Sequence, residues 1–188
     1  MRLFIAVPVE ERTQNLLEEK IDKAQSDLDF DLKWVSEENL HLTLKFLGDT
    51  EEGKIDDIRE AAKNTCSNYE KFNLYYDHFG AFPSTDYPKV LYFGLNENKK
   101  ILINLQNELE NRLQEKGFEK EDRDYEPHLT FARTRKKTDM RQLKYDFNDF
   151  IKENNIRILQ KVDTVSLIES QLYRSGPVYK EVFSINLK

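Results

Sequence analysis

The tripeptide His-Leu-Thr occurs twice, as His41-Leu42-Thr43 and His128-Leu129-Thr130, in a chain of 188 residues with only three histidines. Each copy opens an apolar run of strand character, His41-Leu42-Thr43-Leu44 and His128-Leu129-Thr130-Phe131. Side chains of a strand alternate between its faces, so His and Thr two apart share one face, while Leu42 and Leu44, or Leu129 and Phe131, share the other. Each motif thus sets a proton-transfer group beside a hydroxyl and anchors itself through its apolar side. Two such strands facing each other make a site suited to acid–base chemistry on a phosphate.

The duplication extends beyond the motifs. The offset of 87 residues between positions 41 and 128 also lays Leu3-Phe4-Ile5-Ala6-Val7 over Val90-Leu91-Tyr92-Phe93-Gly94, two further apolar runs. A helical stripe follows each: Leu16, Leu17 and Ile21 in the first case, Ile101, Leu105, Leu109 and Leu113 in the second. After each motif comes another helical stretch, carrying Ile55, Ile58, Ala61 and Ala62 or Leu143, Phe147 and Ile151. Apolar runs at Phe72–Phe82 and Ile156–Ile168 complete the pattern. The order strand, helix, motif strand, helix, strand occurs twice, with a period far too long for a solenoid. It predicts one domain over 1–188, made of pseudo-symmetric halves of approximately 1–85 and 86–188 related by a pseudo-twofold axis.

Turn signals agree with this division. Gly48-Asp49 ends the first motif strand, Gly117 closes the second long helix, and Ser175-Gly176-Pro177 turns between strands expected at Val162–Ile168 and Val178–Leu187. Phe82-Pro83-Ser84-Thr85-Asp86-Tyr87-Pro88 reads as the clearest loop, close to where the halves should join.

Charged residues form 34% of the chain, and no apolar run exceeds strand length, which excludes a transmembrane helix. Strand character from Arg2 onward leaves no room for a signal peptide, and the lone Cys66 reads as a structural residue in a reducing, cytoplasmic compartment. A net charge of −6 argues against nonspecific coating of nucleic acid, though not against recognition of one phosphate or an RNA end in a locally basic cleft. Of the basic segment Arg133-Thr134-Arg135-Lys136-Lys137, residues 135–137 read as a solvated loop. Asp122, Asp124 and Glu126 make the approach to His128 acidic.

His78 falls outside the repeat and reads as structural, whereas packing alone would not ask for histidine at both equivalent places of the motif. Metal binding lacks a third ligand at zinc-like spacing, nucleophilic catalysis lacks a Ser or Cys in either motif, and no phosphate-binding Gly-rich loop is present. Threonine is a poor metal ligand and a good donor to a phosphate oxygen. Acid–base catalysis on a phosphodiester is what these residues leave. By alternation Lys45 falls on the His41 face and Phe46 in the core.

His41-Leu42-Thr43-Leu44-Lys45-Phe46-Leu47-Gly48 and Pro127-His128-Leu129-Thr130-Phe131-Ala132-Arg133 resemble the paired His-x-Thr-x motifs of the 2H phosphoesterase superfamily. The likeness is nearest to the RNA 2′,3′-cyclic phosphodiesterases, also called 2′-5′ RNA ligases. Further landmarks are Arg2–Val7, Trp34-Val35 before Glu38-Asn39-Leu40, Gly80-Ala81-Phe82-Pro83 and Glu169-Ser170. The resemblance implies a bilobal α+β duplicated fold, with two antiparallel sheets lining a central cleft and helices outside. It implies hydrolysis of a terminal RNA 2′,3′-cyclic phosphate to a 2′-phosphate, without metal or other cofactor, and a possible 2′-5′ ligase side activity. In that scheme His41 protonates the departing 3′ oxygen, His128 activates water, Thr43 and Thr130 hold the nonbridging oxygens, and Arg133 adds a charged clamp. The residues alone leave the two histidine roles interchangeable; only the resemblance assigns them. The expected partners are RNA 3′ ends or small cyclic-phosphate nucleotides, met by a monomer without a membrane.

Two other readings remain at this point. One keeps the fold and changes the substrate to a 2′,5′-oligonucleotide or a small cyclic nucleotide. The other is a non-catalytic module that captures phosphorylated RNA ends, against which stands the presence of two titrating groups where binding needs none.

Overall fold

In the structure, a computed structural model describing residues 1–174 and 176–188, the repeated order is present. The first series runs β1 (Arg2–Pro8), α1 (Glu11–Asp27), a short edge strand β2 (Leu32–Trp34), β3 (His41–Asp49), α2 (Ile55–Cys66) and β4 (Phe72–Ser84). The second runs β5 (Tyr87–Leu95), α3 (Lys99–Glu115), β6 (His128–Thr134), α4 (Met140–Glu153), β7 (Ile158–Val162), β8 (Thr164–Tyr173) and β9 (Gly176–Asn186). They form two antiparallel sheets, one of four strands in the order β3-β1-β8-β9 and one of five in the order β2-β6-β5-β4-β7. Helices cover the outer faces, giving the α+β, two-sheet architecture.

Neither sheet draws its strands from one sequence half. β8 returns from the end of the chain to pair with β1, and β2 pairs with β6. The first helix of each series also crosses over: α1 packs on β7, and α3 packs on α2 and β3. Burying the apolar stripes of α1 and α3 therefore holds both sheets in one contiguous core. Side-chain ties follow the same crossings, with Thr13 Oγ1 on α1 donating to the Leu159 carbonyl at 2.7 Å and Gln160 Nε2 on β7 donating to the Pro8 carbonyl at 3.2 Å.

Local differences from the sequence reading have physical causes. The supposed loop at 82–88 is a tight hairpin turn at Thr85-Asp86, with Pro83 and Pro88 as facing partners in β4 and β5. Pro83 adjoins a register shift and Pro88 is near a strand start, where a missing N–H is tolerated. The run Ile156–Ile168 is two strands, β7 and β8, that belong to different sheets; continuous hydrophobicity carries no mark of a change of sheet. In α3 the buried stripe starts at Leu102 and leaves Ile101 exposed, because a strict four-residue spacing drifts from the 3.6-residue turn. Leu16 on α1 is likewise exposed.

Gly117, at φ +88°, does end α3: its N–H donates to the Gln114 carbonyl and that of Phe118 to the Leu113 carbonyl, the paired bonds of a left-handed helix end. The turn expected at Ser175-Gly176-Pro177 falls partly on Ser175, outside the described residues; Gly176 and Pro177 begin β9, which pairs with β8 from Tyr173 and Leu172 onward. Cys66 is buried in α2, and burial pushes its thiol up to about 11. Among the described residues no helix is long and apolar enough to cross a membrane.

The apolar sides of the motif strands carry the core. Leu42, Leu129 and Phe131 are fully buried, and Phe131 lies against Phe93 at 4.9 Å, Phe79 at 6.0 Å and Trp34 at 6.2 Å between ring centres. Phe131→Ala is expected to cost about 3–5 kcal/mol, read as a lower midpoint of urea unfolding with little change in slope. A loss below about 1 kcal/mol, the range of surface substitutions, would contradict this account of the motif's anchor.

Candidate active site

β3 and β6 stand in different sheets and face one another across a cleft of about 490 Å³. His41, Thr43, His128, Thr130 and Arg133 all line it, so every site residue expected from the sequence meets in one place. His41 Nδ1 lies 2.7 Å from the Asn39 carbonyl, and His128 Nδ1 lies 2.7 Å from the Glu126 carbonyl. A carbonyl oxygen only accepts, so each Nδ1 carries the hydrogen and each Nε2 is the titrating atom. The same bond, to the carbonyl two positions earlier, is made in both motifs. Before His41, a short 3-10 turn at Glu37–Asn39 is held by Asn39 Nδ2 donating to Ser36 Oγ at 2.9 Å and to the Pro177 carbonyl at 3.2 Å.

Each ring also has two aromatic walls. His41 packs on Phe4 at 4.8 Å and Tyr179 at 5.2 Å, and His128 on Phe82 at 4.8 Å and Tyr92 at 5.4 Å. Tyr92 reaches its place by lying across Gly80, where a β-carbon would collide with its ring. Burial is the largest influence on both histidines and lowers both from the ordinary value of 6.5, against the opposing effect of the carbonyl bonds. The Arg133 guanidinium lowers both further, and His128 lowers His41.

A one-residue irregularity just after the His-x-Thr of each motif strand decides what else enters the cleft; β3 has a second further along, at Leu47. On β3, Ile5 pairs with Lys45 and Ala6 with Thr43, so Leu44 is an extra residue; on β6, Leu91 pairs with Ala132 and Tyr92 with Thr130, so Phe131 is extra. Such a bulge inverts the alternation beyond it. Arg133 is thereby turned to the cleft, and so is its counterpart Phe46, which is 63% exposed and lines the wall. The expectation that Lys45 faces the cleft and Phe46 the core is reversed for this reason. Lys45 is buried, with Nζ 2.6 Å from Glu110 Oε1 and 2.7 Å from the Glu119 carbonyl.

That inward lysine fixes the approach to the second motif. Glu110 also accepts from the Glu121 N–H at 2.8 Å, and Tyr125 Oη donates to the Thr43 carbonyl at 2.8 Å. The segment that ends at Glu126, whose carbonyl holds His128, is thus tied at several points to the strand that carries His41. The acidity expected there is partly balanced, since Lys99 pairs with Glu126 at 2.8 Å. Arg135 pairs with Asp31 at 2.9 Å on the exposed turn after β6. His78 is outside the cleft wall: Nδ1 is 2.6 Å from Asp77 Oδ1 and the ring lies across Gly94, a structural placement.

Sequence reasoning missed Phe46, Tyr179, Phe4, Phe82 and Tyr92. Each bulge buries two residues in succession, 44–45 and 131–132, but Leu44-Lys45 does not read as an apolar pair, and the aromatic walls from other strands depend on a register that no local pattern records. Among the described residues, no group of three or more His, Cys, Asp or Glu side chains is arranged to hold a metal ion.

Known proteins resemble the chain over nearly its whole length. The family model of the 2′-5′ RNA ligase superfamily matches residues 13–174. The RNA 2′,3′-cyclic phosphodiesterase of Methanothermobacter thermautotrophicus is 33% identical over 97% of this chain and 96% of its own, and that of Thermotoga maritima is 34% identical over 97% and 94%. Among solved structures, TT0787 of Thermus thermophilus superposes with a TM-score of 0.78 at 24% identity, covering 100% of this chain and 98% of its own. E. coli LigT complexed with 3′-AMP gives 0.76 at 22%, covering 99% and 97%. These last two establish likeness of fold.

Nitrogen-15 NMR of the imidazoles is expected to find both His41 and His128 as Nδ1–H tautomers that titrate below 6.5 in the free protein, and Arg133→Ala is expected to raise both. Either ring titrating above 6.5, or carrying its neutral hydrogen on Nε2, would contradict this description.

Proposed function

The chain belongs to the 2′-5′ RNA ligase superfamily, among the RNA 2′,3′-cyclic phosphodiesterases of the 2H phosphoesterase class, and from that premise we propose that it hydrolyses a terminal RNA 2′,3′-cyclic phosphate to a 2′-phosphate by metal-independent acid–base catalysis. The observation that carries the reading is the pair of imidazoles, each with Nδ1 bound to a carbonyl, facing one cleft from opposite sheets.

In-line displacement at phosphorus sets the attacking and departing oxygens on opposite sides, so the base and the acid must flank the phosphate. His128 Nε2 takes a proton from water as its oxygen bonds to phosphorus. The bond to the 3′ oxygen breaks and His41 Nε2 supplies the proton that this oxygen gains. The products are a free 3′ hydroxyl and a 2′-phosphate, and the next turnover needs the proton gained by His128 released and one returned to His41, by way of solvent. Thr43 and Thr130 hydroxyls and the Arg133 guanidinium hold the nonbridging oxygens, where charged donors count most. General acid–base catalysis contributes roughly 10²- to 10⁴-fold per group. Free histidines with lowered pKa values suit the base; the acid needs its proton held, and the bound phosphate anion beside His41 supplies that bias. Joining of 2′-5′ ends is the same displacement by the same groups, with the 5′ hydroxyl of a second RNA attacking the cyclic phosphate in place of water and the 3′ oxygen leaving as before.

A short RNA ending in a 2′,3′-cyclic phosphate, incubated with the protein in EDTA, is expected to yield a 2′-phosphate. His41→Ala and His128→Ala are each expected to lower kcat by at least ~10². A 3′-phosphate product, or full activity in either variant, would overturn the proposal. Turnover confined to 2′,5′-linked oligonucleotides would instead assign the same site to that substrate.

A further inference from the structure

Lys33 occupies an unusual place beside the cleft. It is the central residue of β2, the edge strand of the five-stranded sheet, and its register partner on β6 is Arg133. Facing residues of an antiparallel pair share one face, with β-carbons about 4.5–5.5 Å apart, and like charges so placed repel. Both side chains line the cleft. The fold itself does not need this cation: β2 is held by the buried Leu32 and by Trp34, which stacks on Phe131 and also borders the cleft. Asp31, the nearest carboxylate in the sequence, is engaged by Arg135 at 2.9 Å. Glu38 also lines the cleft, but among the described residues neither Lys33 nor Arg133 forms an ion pair with it. Two facing cations on one cleft wall, neither paired with a carboxylate among the described residues, suit the binding of an anion.

We propose that Lys33 binds a second phosphate of the substrate, the one on the 5′ oxygen of the nucleotide whose cyclic phosphate lies against Arg133. The inference rests on the reading above, because it gives Arg133 to the reacting phosphate. Lys33 stands one strand further out, about 4.8 Å along the sheet, and its flexible stem ends in a compact point charge suited to a phosphodiester, which need not be gripped in one orientation. The cleft thereby prefers a terminal nucleotide that carries a 5′-phosphate over a nucleoside cyclic phosphate. That 5′-phosphate is either the link to the rest of an RNA chain or the free group of a mononucleotide, and both offer the same charge.

The test is a binding measurement and needs no turnover. Calorimetry compares adenosine 2′-phosphate, adenosine 2′,5′-bisphosphate and a dinucleotide ending in a 2′-phosphate, on wild type, Lys33→Gln and Lys33→Arg. Wild type is expected to bind the bisphosphate about tenfold more tightly than the monophosphate, the scale of one charged hydrogen bond. Lys33→Gln is expected to bring that ratio close to one, and Lys33→Arg to restore it. An equal advantage for the dinucleotide identifies the RNA link as the group bound; an advantage limited to the bisphosphate identifies a free 5′-phosphate. A wild-type ratio near one, or a ratio that Lys33→Gln leaves unchanged, overturns the proposal. Failure of the catalytic reading has a different signature, absence of cyclic phosphate hydrolysis with the Lys33-dependent ratio intact.

Discussion

The site depends on a single irregularity used twice, the extra residue placed after Thr43 on β3 and after Thr130 on β6. Up to that point strict alternation aligns His with Thr on the cleft side and drives Leu42 or Leu129 into the core. Past it the faces exchange. Without the second bulge, Arg133 would point into the apolar interior beside Leu129, where an unpaired guanidinium is prohibitively costly. Without the first, Lys45 would leave Glu110 as a lone buried charge, and Phe46 would compete for core space that the packed strands do not have. One residue inserted just after each His-x-Thr thus serves the chemistry on one face and the packing on the other.

The two copies diverge where their tasks do. Arg133 and Phe46 occupy equivalent places on opposite cleft walls, one a cation and the other an apolar ring. Lys45 is matched by Ala132, and only the lysine carries a buried ion pair, which joins β3 to α3 and to the segment that leads into the second motif. Buried pairs of this kind contribute little net stability against an apolar replacement, but they demand one geometry. Here that geometry sets the strand of His41 relative to the carbonyl that holds His128. The exchange of strands and first helices between the sequence halves adds to the same effect, since neither motif strand can shift without disturbing a core shared by both sheets.

Much of this was legible in the sequence, and the remainder was hidden for identifiable reasons. The repeated order, the two motif strands and their histidines and threonines followed from local periodicity, because a strand of four residues needs only alternation to be read. Alternation fails beyond Leu44 and so places Lys45 and Phe46 on the wrong faces; resemblance to a family, not alternation, points to Arg133. Phe4, Tyr179, Phe82 and Tyr92 meet the histidines only through strand register, which lies between segments and not within one. The pairing of β8 with β1, which carries the end of the chain back to its beginning, is a property of the same kind. Glycine at position 80 makes room for Tyr92, a constraint visible only once both strands are aligned.

The central claim is that the two histidines act in opposite protonation states on one phosphate, and the pH dependence of kcat/KM tests it most directly. Wild type is expected to give a bell, with an acid limb for protonation of the base and an alkaline limb for loss of the acid's proton; the limbs of so close a pair report the pair together. In the residual activity of His128→Ala the acid limb should vanish, and in that of His41→Ala the alkaline limb should vanish. A flat wild-type profile between about pH 5 and 8, or a bell that persists in both variants, would contradict the account.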